Sequence, residues 1–132
     1  MNRNLSLGYR LLELILGLNF FLHGAVRLCG HYSEFVQGVL KGFEATILPS
    51  WMVMPVAYLI PLIEVSVGLG LLAHWRPRTT LLAAAGLMAL LVTGMSLQQN
   101  WDVVGTQMVY VICLYLLGSE YKLNPEAHTS EG

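Results

Sequence analysis

Five polar side chains stand out against an apolar background and are the candidates for chemistry: Asn19, His23, Arg27, Glu64 and Gln107. Asn19, His23 and Arg27 recur every four residues, so on a helix they form one slowly rotating polar stripe roughly 12 Å long. Glu64 is a lone carboxylate deep in a second apolar run, and Gln107 a lone amide near the start of a fourth. At membrane depth a charged group is expensive and is by default functional or paired. These types can accept and donate hydrogen bonds, stabilise negative charge through Arg27 and hold a proton on Glu64 or His23. Two readings stay open for Glu64: a clamp to Arg27 or His23, or a proton- or ligand-handling group.

The elements that must position these residues follow from hydropathy. The chain has 132 residues, 55% hydrophobic and 11% charged, against about 25% charged in soluble domains. Four apolar runs, at about 7–28, 52–74, 79–97 and 103–119, are near the length a helix needs to cross a bilayer. Lipid admits only helices or closed barrels, and the runs are too long and too unalternating for barrel strands. The expectation is an all-α integral membrane four-helix bundle within residues 1–123, followed by a polar, disordered tail at 124–132. Between the first two runs, Phe35, Val36, Val39, Leu40, Phe43 and Ile47 recur at three and four. That spacing predicts one amphipathic surface helix, capped by Ser33 and stopped by Pro49, either roofing the bundle or merely filling space.

Four spans put both termini on one face. Arg3, Arg10, Arg76, Arg78 and Lys122 share that face, against Arg27 and Lys41 on the other, so the termini are expected in the cytoplasm and the protein in the cell inner membrane. Trp51, Trp75 and Trp101 fall at span ends, where an interfacial aromatic belt belongs. Counting residues from that orientation places Arg27, His23, Asn19, Glu64 and Gln107 in the outer half of one bundle, as a polar pocket for a ligand. Glu13 lies in the inner half, with Arg10 or Lys122 as its expected partner.

Several chemistries are argued against. The net charge of −1 without a basic run gives no reason for nucleic acid. Cys29 and Cys113 make no C-x-x-C pair, which removes the usual dithiol motif. A metal site wants three ligands at matched depth, and only His23 and Glu64 qualify. Bis-histidine haem fails because His74 is at the opposite face and His31 and His128 are in loop and tail. No phosphate loop, nucleophile triad or nucleotide fingerprint appears, so catalysis is neither indicated nor excluded.

The segment His23-Gly24-Ala25-Val26-Arg27-Leu28, Pro49 before the second run, Glu64-Val65-Ser66-Val67-Gly68-Leu69-Gly70-Leu71-Leu72, Arg78, Gly94 and Gln107 together resemble DoxX-like membrane proteins. That resemblance implies a four-helix inner-membrane subunit of an oxidoreductase system, similar to the small subunit of thiosulfate:quinone oxidoreductase, with a membrane partner or a second copy beside it. It transfers no catalytic residue. A quinone is then the expected ligand, its head group bonded by His23 and Glu64 with Arg27 stabilising negative charge. A scaffold or assembly protein, and a small-solute carrier or channel formed as an oligomer, are the alternatives.

Overall fold

The computed structural model describes residues 6–123. The tail expected to be disordered, 124–132, lies outside the described residues, as do Arg3 and the side chain of Lys122. Five helices follow in order: α1 (Leu7–Leu28), α2 (Tyr32–Gly42), α3 (Ser50–Leu72), α4 (Pro77–Leu97) and α5 (Trp101–Leu123). Four of them, all but α2, are long and apolar enough to cross a membrane. The chain is an all-helical membrane bundle.

Local chemistry sets the helix limits. Ser6 caps α1, its hydroxyl accepting from the Tyr9 N–H at 3.4 Å. Pro77 occupies the first position of α4, where a missing N–H costs nothing. The turn before it holds His74 and Arg76 at φ of 51° and 40°, the left-handed region in which histidine is one of the more tolerated residues. The amphipathic helix differs in its limits from the sequence expectation. It begins at Tyr32, with His31 rather than Ser33 at the cap position, and ends at Gly42. Pro49, expected to stop α2, instead occupies the cap position of α3.

Glycine decides how α1 and α3 meet. A Cβ on Gly17 would stand 2.9 Å from the Leu71 Cβ, and one on Gly24 would stand 2.5 Å from the Pro61 carbonyl oxygen. A Cβ on Gly68 would collide with the Phe21 backbone. The two helices therefore approach backbone to backbone, as small residues allow in membranes. This antiparallel register brings Leu28 level with about residue 60. Ser50–Leu59 then extends roughly 15 Å beyond the end of α1.

Helix α2 occupies the space that α1 leaves. Its Tyr32 end meets Tyr58, the hydroxyl donating to the Tyr58 carbonyl at 2.5 Å and the rings packing edge to face at 5.3 Å. Past its other end, Phe43 reaches Gly94, and Gln98 lies against Gly42. Val36 is its one fully buried side chain. The remaining core is built by Leu16, Phe20, Ile60, Leu71, Leu87, Met88 and Leu117 from all four spans. Trp51, Trp75 and Trp101 are exposed at helix ends or in the α3–α4 turn.

Candidate functional site

All five sequence-selected residues line one cavity of about 440 Å³, in the half of the bundle that carries α2. Asn19, His23 and Arg27 enter from α1, Glu64 from α3 and Gln107 from α5. Its other walls are mostly apolar, with Phe35 and Val39 of α2, Met52 and Ile60 of α3, Met88 and Leu91 of α4, and Tyr110 of α5 among them. The register explains the convergence. Because α1 stops short, Arg27 near its end meets Glu64 in the middle of α3.

Arg27 and Glu64 form the centre of the site. Arg27 Nη1 donates to both Glu64 oxygens, at 2.6 and 2.7 Å. The Glu64 side chain is 4% exposed and that of Arg27 29%. The guanidinium carbon lies 4.3 Å from the centre of the Phe35 ring of α2, a cation–π contact that ties Arg27 to α2 as well. Two opposite charges this close need no net charge in lipid, and the arrangement is a clamp between α1 and α3. Paired in this way, the Glu64 carboxylate donates no hydrogen bond but keeps lone pairs that can accept further ones.

His23 and Asn19 are joined along α1. The His23 Nδ1–H donates to the Asn19 carbonyl at 2.9 Å, which fixes the ring and leaves Nε2 as its atom for the cavity. Gln107 is different. Its Oε1 is buried and has no hydrogen-bond partner among the described residues. No group of three metal-ligating side chains converges among the described residues.

A second polar cluster lies at the end that carries the termini. Glu13, 1% exposed, accepts from Arg10 Nη1 at 2.5 Å and from His74 Nδ1 at 2.9 and 3.0 Å. Arg10 also donates to the Leu72 carbonyl at 3.4 Å. Arg10 is thus one of the partners expected for Glu13, whereas His74 was set aside in the sequence. Buried Glu120 of α5 takes the Ser6 N–H at 3.5 Å, which places the start of α1 beside the end of α5. The register that sets Gly17 against Leu71 also sets Glu13 against His74, and that pairing was the missed signal.

The geometry defines a multi-pass helical membrane protein with an ion-paired, largely apolar cavity in one half. The sequence model of one family, described as methylamine utilisation protein MauE, matches residues 5–105, well over half of the chain, and the chain belongs to that family. No curated protein and no solved structure matches it. The MauE match overturns the resemblance to DoxX-like proteins. The residues that carried it have a packing explanation: Gly24 and Gly68 admit the α1–α3 contact, and Arg27 and Glu64 neutralise each other across it. Close helix packing and charge neutralisation account for these positions without reference to the DoxX-like family.

Proposed function

We propose that this chain is an accessory membrane protein of an oxidoreductase system that uses methylamine or a similar amine, and that it serves the maturation of that system rather than the oxidation itself. The observation that carries the reading is the MauE match over residues 5–105. Using an amine as a nutrient requires its oxidation, which is oxidoreductase work. The cavity supports a role beyond anchoring, because a membrane anchor needs no 440 Å³ space walled by all five helices. In this reading Asn19, His23, Arg27, Glu64 and Gln107 form the working pocket, with Arg27 and Glu64 holding its shape and His23 and Gln107 facing its contents.

The finer placement belongs to the same proposal. The excess of Lys and Arg at the end carrying the termini supports an inner-membrane protein with both termini in the cytoplasm and the cavity toward the outside. A protein partner on that outer side fits an accessory role. The quinone expectation came with the DoxX-like resemblance and has no support from the MauE match.

Deletion of this chain in its native strain tests the reading. The expected result is loss of active amine-oxidising enzyme in amine-grown cells, restored by the chain on a plasmid. Full enzyme activity and abundance in the deletion strain would overturn it.

A further inference from the structure

The cavity presents hydrogen-bonding atoms that the chain itself does not use. Arg27 bonds Glu64 through Nη1 alone, and its Nε and Nη2 have no hydrogen-bond partner among the described residues. Three N–H donors therefore remain on a side chain that lines the space. One turn back on α1, His23 lines the same space and is exposed, so it can be reached from outside the chain. Its Nδ1 lies 2.9 Å from the Asn19 carbonyl, which only accepts. Nδ1 therefore carries the hydrogen, and the neutral ring presents a lone pair on Nε2. Side chains four apart on a helix are neighbours, so one head group can reach both.

This donor and acceptor select a head group with the reverse pair: an oxygen that accepts from Arg27 and an acidic hydrogen for His23. Charge narrows the class further. Arg27 and Glu64 neutralise each other, so an anion entering without its proton would leave a net charge in a mostly apolar space. An oxyacid brings that proton. Its O–H bonds to, or passes its proton to, His23 Nε2, and the total charge of the site is unchanged. The remaining lining includes Ile60, Met88 and Leu91, and a volume of about 440 Å³ is toward the small end of ligand pockets, which suits one alkyl chain. We propose that the cavity binds a single-chain lipid acid, with its head group at Arg27 and His23 and its chain against Ile60, Met88 and Leu91. A free fatty acid and an alkyl phosphate share this chemistry. The proposal rests on the cavity being the working pocket of the accessory protein, and adds the class of molecule that enters it.

The full chain in phosphatidylcholine nanodiscs provides the test, with radiolabelled dodecanoic acid and dodecyl phosphate as probes and protein-free nanodiscs as the blank. At least one probe is expected to bind saturably. Its unlabelled form should displace it at about a tenth of the concentration that methyl dodecanoate or dodecan-1-ol requires, the effect of one charge-assisted hydrogen bond. Which acid binds identifies the source. His23→Leu, at an exposed position, is expected to weaken that acid about tenfold and to leave competition by the ester unchanged. No saturable binding of either acid, an ester or alcohol competing as well as the acid, or an acid affinity unchanged in His23→Leu would overturn the proposal. Should His23→Leu fail to fold, the preference of the unaltered chain for acid over ester and alcohol decides alone. The deletion strain reports independently, so an accessory role can stand while this ligand class falls.

Discussion

Removing Arg27 while leaving Glu64 is the sharpest perturbation of the bundle. In Arg27→Met the apolar stem is replaced closely, but Glu64 loses the nitrogen that holds both its oxygens. Breaking a buried pair from one side costs about 3–5 kcal/mol, because a charge is left uncompensated. Glu64 is almost fully enclosed and Arg27 only partly so, which puts the expected loss at about 3 kcal/mol, near the lower limit. The double variant Arg27→Met with Glu64→Leu removes both charges and is expected within about 1 kcal/mol of the unaltered chain, since apolar replacement of a whole buried pair is often neutral. Reversible unfolding in mixed micelles, run as a double-mutant cycle, measures the coupling directly. Costs that simply add, with the double variant as weak as the sum of the singles, would refute the clamp.

The close approach of α1 and α3 gives a second expectation: Gly68→Ala should destabilise by about 1–3 kcal/mol through overpacking, whereas Gly86→Ala, with nothing within 4 Å of its new Cβ, should be silent in the same unfolding assay. At the other end of the bundle, Glu13→Gln should weaken the bonds to Arg10 and His74 and cost about 1–2 kcal/mol, with faster proteolysis in the Trp75–Arg76 turn as the readout; unchanged cleavage would count against that cluster holding the turn. For orientation, Lys41→Cys in a background lacking Cys29 and Cys113 should react with a membrane-impermeant thiol reagent added to whole cells, and Trp75→Cys should react only after lysis. The reverse pattern would place the cavity toward the cytoplasm.

The fold was legible because hydropathy and lipid leave so few choices. Four apolar runs with no way to satisfy backbone groups except helices led directly to α1, α3, α4 and α5. The cavity residues were legible for a related reason: Asn19, His23, Arg27, Glu64 and Gln107 are polar where lipid penalises polarity, so they had to face one another or a shared space. What the sequence concealed was register. The stop of α1 about 15 Å short of the α3 start, and the use of α2 to wall the gap, depend on which glycines face Leu71, Pro61 and Phe21. Periodicity marks such glycines as small but does not pair them. His74 was hidden by backbone geometry, since its left-handed φ of 51° lies in the turn that brings its ring to Glu13. The family was misread because the resemblance rested on a few polar and glycine positions that close helix packing alone can explain.

The most direct test of the account is whether the cavity is needed for the proposed accessory role. Thr106 lines the cavity from α5 yet is itself exposed, so Thr106→Phe adds bulk at the wall without disturbing the core. The measurement is the amount of active amine-oxidising enzyme in the deletion strain carrying this variant, at matched levels of folded membrane protein. The account predicts a deficit close to that of the deletion itself. Full restoration of the enzyme by a folded, cavity-blocked chain would contradict it.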